Sequence, residues 1–191
     1  MTTRDRILAE AERQLLDVGY AAFSMNSVRK ALGLSSGSMF HAFASKAALA
    51  AEVYVGAMAD YQNVASRVAL GPGDPKHTVE QFVASHLLWV ESNRQRAHFL
   101  FMTQPDELLE LAAGQLSAAN DQFFAAIGEL TARAAEHGLC AGLPVDVSHP
   151  LIIGPAQEYC RRWTRGLVAQ RPTQLTTVFQ RSALAALRST L

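Results

Sequence analysis

Val28-Arg29-Lys30-Ala31-Leu32-Gly33-Leu34-Ser35-Ser36-Gly37-Ser38-Met39-Phe40-His41 decides how the first part of this chain folds. Gly33 stands between two short segments of helical spacing, and glycine enters the left-handed conformation of a tight turn without strain. Val28 and Leu32 lie before it, Leu34 follows at once, and Met39 comes a turn and a half later. At 3.6 residues per turn these apolar side chains fall on one face of each helix and form a small core beneath the turn. The other face of the second segment carries Ser36, Ser38 and His41, which are short or polar and free to meet a groove. The pattern predicts helices over residues 25–32 and 36–42, with Ser24 capping the first. Two short helices crossing over a glycine turn are the elements of a helix-turn-helix.

Helical periodicity continues on both sides. A first helix is predicted over residues 5–18, with Ile7, Leu8, Ala11, Leu15 and Leu16 on one side and Gly19 as its stop. Downstream, Ser45 caps a long helix over residues 46–68, and Gly71-Pro72-Gly73-Asp74-Pro75 is the strongest break in the chain. Beyond it a capping box at Thr78–Gln81 opens a helix to residue 92. Further helices are expected over 98–102, from Pro105 to 136 with His137-Gly138 as its close, over 150–168, and over 172–189. Residues 142–144 read as a loop. Strand alternation, repeats and low-complexity tracts do not occur. The chain is therefore expected to be all-α, with a three-helix helix-turn-helix domain over residues 1–48 and a larger helical domain over 49–191.

At 191 residues the chain can bury a core that needs neither a disulfide nor a metal. It carries 17 Lys/Arg against 17 Asp/Glu, so any affinity for nucleic acid must come from a local site. Residues 1–52 hold Arg4, Arg6, Arg13, Arg29, Lys30 and Lys46 against Asp5, Glu10, Glu12, Asp17 and Glu52, an almost neutral balance. Cys140 and Cys160 form no CxxC pair and read as small semi-buried residues. The N-terminus has no apolar signal core, and no run of about 18 apolar residues exists. A soluble, cytoplasmic protein without membrane contact is expected.

Enzymatic readings find no support. Gly33-Leu34-Ser35-Ser36-Gly37 matches the spacing of a hydrolase nucleophile elbow, but that motif needs a strand before it and here a helix precedes. No Glu has a His three residues later, as a di-iron bundle would require. The Asp74/His77 and Asp146/His149 pairs fall in or beside predicted loops, and no phosphate-cradling glycine loop is present. Neither a metal, a cofactor nor catalysis is expected.

Arg6-Ile7-Leu8, Gly19-Tyr20, Phe23-Ser24, the run from Val28 to Lys46 and Leu49 together resemble the N-terminal signature of the TetR family of transcriptional regulators. The likeness spans residues 6–49 without gaps. In the rest of the chain it is one of helix succession, with a late segment Gly154-Pro155-Ala156-Gln157-Glu158-Tyr159-Cys160-Arg161-Arg162-Trp163 similar to some members. The resemblance implies that Ser24 caps the second helix and touches phosphate. It implies that Ser36, Gly37, Ser38 and His41 face the major groove, and that Lys46 binds phosphate at the start of the next helix. Phe40 stands where the family carries Tyr and lacks the phosphate-bonding hydroxyl, a loss of about 1–3 kcal/mol per site. Arg29 and Leu32 replace two small Ala residues at the helix crossing. Arg29 either snorkels outward to a phosphate or opens the crossing.

The resemblance also implies that the larger domain dimerises and holds an effector. On the last predicted helix Leu175, Val178, Phe179, Ala183, Leu184, Ala185, Ala186, Leu187 and Leu191 occupy more than half the circumference, and such a helix must be covered on most sides. The small residues Gly154, Ala156 and Gly166 of the preceding helix would let a second copy approach. Candidate dimer residues are thus Gly154, Ala156, Gly166, Val178, Phe179, Ser182 and Ala186. Large side chains after the Gly-Pro break, with Phe101 and Phe123 among them, suggest a pocket for a small apolar or aromatic effector. Its candidate lining is His86, Trp89, His98, Phe99, Met102, Phe124, Tyr159 and Trp163. Pro155 can kink the helix beside it. The expected function is that of a homodimeric repressor on a palindromic double-stranded DNA operator, released by the effector. The alternative is a helical ligand-binding or interaction protein with weakened operator binding.

Overall fold

The computed structural model describes residues 1–102, 104–139 and 143–188. Among them every regular element is helical: α1 (Thr3–Ala22), α2 (Met25–Ala31), α3 (Ser36–Ala42), α4 (Lys46–Ala69), α5 (Pro75–Ser92), α6 (Arg94–Phe101), α7 (Asp106–Ala135), α8 (Val145–Thr164) and α9 (Thr176–Arg188), with a 3-10 turn at Pro172–Leu175. The all-α expectation is met, and among the described residues no helix is long and apolar enough to cross a membrane.

Local chemistry explains where most helices begin and end. Thr2 and Asp5 form a reciprocal capping box at the start of α1. Gly19, at φ 73°, breaks that helix where a stop was expected, before a last turn that closes on Phe23. Three glycines with positive φ close helices in the same way. The N–H of Gly33 donates to Lys30 and that of Leu34 to Arg29; Gly138 with Leu139, and Gly166 with Leu167, repeat the pattern. This is the Schellman arrangement, which satisfies carbonyls that a helix end leaves orphaned.

Several boundaries differ from the sequence expectation. The capping box at Thr78–Gln81 does not open α5: Asp74 caps that helix one turn earlier, accepting from the Lys76 N–H at 3.3 Å. Pro75 sits in the first turn, where its missing N–H costs nothing, and the Thr78 hydroxyl bonds back to the Asp74 carbonyl inside the helix. The helix α6 begins at Arg94, a turn before the expected 98. The helix α8 begins at Val145 and encloses both Pro150 and Pro155, so Pro150 lies within it. It ends at Thr164, short of 168, because Gly166 takes φ 74°. Pro172 opens the 3-10 turn, and α9 proper starts at Thr176. Cys140, Gly142 of the predicted 142–144 loop, Ser189 and Leu191 lie outside the described residues.

The chain divides into two units, Met1–Ala59 with Gln95–Ser117, and Asp60–Arg94 with Ala118–Leu191. In the first, α1, α2 and α3 pack on one another around Ile7, Ala11, Leu15, Phe23, Val28, Met39 and Phe43. The spacing of Ile7, Ala11 and Leu15 places them on one stripe of α1, and all three are buried. Arg96 pairs with Glu12 at 2.6 Å. In the second, α5, α8 and α9 pack mutually around Phe82, Leu87, Ile152, Ile153, Ala183, Leu184 and Leu187. Polar ties support this packing: Thr173 holds the Glu91 carboxylate by its hydroxyl at 2.7 Å, and Gln180 donates to the Glu80 carbonyl at 3.0 Å. Arg133 donates to the carbonyls of Ala69 and Gly71 at the close of α4.

Candidate functional site

The helix-turn-helix is built as its sequence implied. Ser24 caps α2 by accepting from the Ser27 N–H at 3.1 Å, and Ser35 caps α3 by accepting from the Ser38 N–H at 3.1 Å. Val28 and Met39, one from each helix, are buried beneath the turn. Burying two such side chains contributes roughly 1.5–3 kcal/mol each. Along α3, Ser36, Gly37, Ser38, Phe40 and His41 are all exposed, so one short helix presents five consecutive or near-consecutive positions to solvent. Phe40 is 61% exposed, an unusual place for a phenyl ring without a partner surface.

The cations of this unit are more committed than the sequence suggested. Lys46 sets its ammonium 4.5 Å from the Tyr20 ring centroid and within 3.4 Å of the Ala21 carbonyl. Arg4 pairs with Glu52 and stacks on Phe43. Arg29 turns its guanidinium back onto its own module. Its Nη1 donates to the Leu34 carbonyl at 3.0 Å, and its Nε and Nη2 donate to Asn26 Oδ1 at 3.1 and 2.9 Å.

The residues expected to line an effector pocket separate into several places. His86 and Trp89 meet on the ring of Tyr61, at centroid distances of 5.6 and 5.2 Å, and Phe123 joins Tyr61 at 6.3 Å. Phe124 and His149 extend the cluster through Phe123, and Phe82 packs edge-on against His149. The Trp89 indole donates to Asp60 at 2.8 Å, and the Tyr61 hydroxyl lies 3.1 Å from His86 Nδ1. Burial, with the neighbouring His149, pushes the His86 pKa down to about 4, and burial lowers that of His149 as well. Both imidazoles are thus neutral at pH 7, and the Nε2 of each is buried without a partner. Gln62 donates to Asn120 at 2.7 Å while its own carbonyl oxygen stays buried and unbonded. Such atoms in an aromatic core are what a ligand's hydrogen-bonding group, or water, would satisfy.

The other candidates lie elsewhere. Phe99 is buried against Tyr54 in the first unit, to which His98 and the exposed Met102 also belong. Trp163 lies under the Arg94 guanidinium at 4.7 Å, and Tyr159 pairs with Phe179 while its hydroxyl donates to the Gln170 carbonyl. Tyr61, Gln62, Phe82, Asn120 and His149 were not singled out. Pro150 reads as a helix start and so puts His149 beside a loop, whereas His149 stands in the second turn of α8. Among the described residues no group of three or more His, Cys, Asp or Glu could hold a metal ion. The buried Cys160 thiol, whose pKa desolvation pushes up to about 12, is inert as a nucleophile.

The candidate dimer residues also divide. Val178 is 58% exposed on α9, with Phe179, Ser182 and Ala186 half-buried beside it, whereas Ala183, Leu184 and Leu187 turn inward. The outer face of α8 carries a groove of about 400 Å³ lined by His149, Pro150, Ile153, Gly154, Gln157, Glu158 and Arg161. Gly154 thus lies at that face. Ala156 is on the inner side, fully buried in its own chain, and Gly166 lies past the helix end.

Residues 7–53 match the sequence model of the family described as bacterial regulatory proteins, tetR family. No curated protein matches the chain. Solved structures similar to it include the TetR family transcriptional regulator PfmR from Thermus thermophilus, at 23% identity and a TM-score of 0.69 over 95% of this chain and 98% of that one. The fatty acid degradation regulator FadR from Bacillus halodurans superposes at a TM-score of 0.74, with 18% identity and coverage of 96% and 95%. FadR from Bacillus subtilis, in complex with stearoyl-CoA, does so at 0.76, with 13% identity and coverage of 95% and 98%. Residues 7–53 thus match the N-terminal helix-turn-helix of the tetR family, and the chain as a whole shares the helical fold of these solved regulators.

Proposed function

We propose that this chain is a homodimeric repressor that inserts α3 into the major groove of a palindromic operator and leaves it when a small effector binds. The observation that carries the reading is the exposed row Ser36, Gly37, Ser38, Phe40 and His41 on a helix fixed from beneath by Met39. Ser24 and Lys46 flank that row as phosphate-facing positions, by likeness to the family. Residues 1–48 form the DNA-reading module and 49–191 the effector-binding and dimerising part. A second copy covers the outer face of α8 around Gly154 and the flank of α9 around Val178, Phe179, Ser182 and Ala186. Half-sites then lie about one helical turn apart, because each protomer reads one groove.

For the effector, the Tyr61, His86, Trp89, Phe123, Phe124 and His149 cluster supports a compact apolar or aromatic molecule with a hydrogen-bonding group. No Lys or Arg belongs to that cluster, which disfavours a phosphate-rich ligand there. FadR of Bacillus subtilis was solved with stearoyl-CoA, and its fold is shared here, but the chemistry of this cluster suits an uncharged or weakly acidic partner. Binding that favours the DNA-free geometry by a few kcal/mol would suffice for release.

The test is a gel shift on the DNA upstream of this chain's own gene across a salt series. Sequence-selective binding that weakens with salt is expected. Weak, salt-insensitive binding without a preferred site would sink the reading. That outcome would favour a ligand-binding helical protein that has given up its operator, a reading motivated by Phe40 and by the internal engagement of Arg29.

A further inference from the structure

We propose that Arg29 is a positioning residue: its guanidinium clamps the turn between α2 and α3 and so sets the angle of the recognition helix, without itself touching DNA phosphate. The inference rests on the DNA-binding reading above and assigns one residue's part in it. The backbone already joins Arg29 to Leu34, because the Leu34 N–H donates to the Arg29 carbonyl as the outer bond of the Schellman closure. The side chain then adds a second link between the same two residues in the opposite sense, Nη1 donating to the Leu34 carbonyl at 3.0 Å.

In most such closures an apolar contact joins these two positions. Here a charge-assisted hydrogen bond takes its place, which is stronger and more directional. Asn26, one turn back on α2, holds the rest of the fork: Nε and Nη2 both donate to its Oδ1. Three of the five guanidinium N–H groups are therefore used inside the module. Leu34 immediately precedes Ser35, the cap of α3, so a constraint on the Leu34 peptide passes directly to the start of the recognition helix. The clamp itself needs only these three N–H groups, one on each nitrogen. Lysine, a single point charge, cannot span both partners.

The experiment compares R29K, R29A, N26A and the N26A/R29A double variant in the full-length protein. Affinity is measured by fluorescence anisotropy on a duplex that the wild-type chain enriches from a random pool, between about 50 and 200 mM salt. R29K and R29A should both bind roughly ten-fold more weakly, the effect of about one charge-assisted bond, with the wild-type salt slope retained. N26A should weaken binding in the same direction, and the double variant should be no weaker than R29A alone.

Wild-type affinity in R29K, a slope reduced by about 0.9 in R29A, or additive losses in the double variant would each overturn the proposal in favour of a phosphate contact or an idle side chain. Amide hydrogen exchange supplies the arm that needs no DNA. The Gly33 and Leu34 amides should exchange faster in R29K than in wild type, and unchanged exchange would overturn the clamp. If no duplex is enriched, the DNA-binding reading fails while exchange still decides whether Arg29 holds the turn.

Discussion

His86 puts a titratable ring in the core of the second unit, and its environment sets a measurable pH dependence. An unfolded chain protonates this imidazole near 6.5, the folded one near 4, because burial disfavours the charge and His149 adds to the effect. Between those values the unfolded state binds more protons. The stabilisation from keeping His86 neutral is complete above pH 6.5 and is lost as the pH falls toward 4, a change on the order of 3 kcal/mol. Urea unfolding at about pH 7, 5.5 and 4.5 should show that loss in wild type and a clearly smaller one in His86→Gln, whose amide keeps a partner for Tyr61. Equal pH slopes in the two proteins would assign the acid sensitivity to other groups. At this scale the sequence was partly legible. His86 and Trp89 were candidates by type and position, but Tyr61 and His149 were not, because what they share is a meeting of helices and no spacing along the chain.

The turn between α2 and α3 shows how much a single element owes to local chemistry. Gly33 at φ 64° has open space where a Cβ would stand, so a substitution there meets no clash and suffers only from backbone conformation. Gly33→Ala should destabilise the protein by about 1–2 kcal/mol, and Gly33→Asn by less, since asparagine tolerates the left-handed region. Chemical denaturation of the three proteins checks the order; an alanine variant as stable as wild type would mean that the turn relaxes freely.

Elements governed by caps and glycines, α2 and α3 among them, could be read to within a residue. Those governed by proline could not. Pro75 and Pro172 do begin a helix or a 3-10 turn and Pro155 sits inside α8 as expected, but Pro150, which reads as a helix start, sits inside α8 as well. A proline one turn into a helix lacks only the bond of an N–H whose partner lies near the N-terminal end, so sequence alone does not say which of these roles it takes.

For the molecule as a whole, the proposed pairing through α8 and α9 makes association the property to measure. Val178→Glu places a charge on an exposed position of α9, where the isolated chain tolerates it. Light scattering should find wild type at twice the chain mass and the variant at or near one chain mass, with thermal unfolding of the variant still cooperative. A variant that stays dimeric would move the interface away from Val178. Two coupled half-sites require two protomers, so loss of the dimer should also weaken operator binding far more than it weakens a single half-site.

By itself the sequence determined the helical class, the helix-turn-helix centred on Gly33 and the row of α3 positions free to meet a groove. Each of these follows from periodicity, capping and the conformational freedom of one glycine, which act over a few neighbouring residues. Tertiary structure decided the rest. It turned Ala156 inward, put His149 beside Phe123, and set Phe99 against Tyr54 in the first unit instead of among the aromatic rings around His86. It also bent Arg29 back onto Leu34, a residue that chain position alone had left with two other fates. Such outcomes depend on which helix faces meet, and a long side chain settles where packing leaves an unpaired carbonyl for it to satisfy.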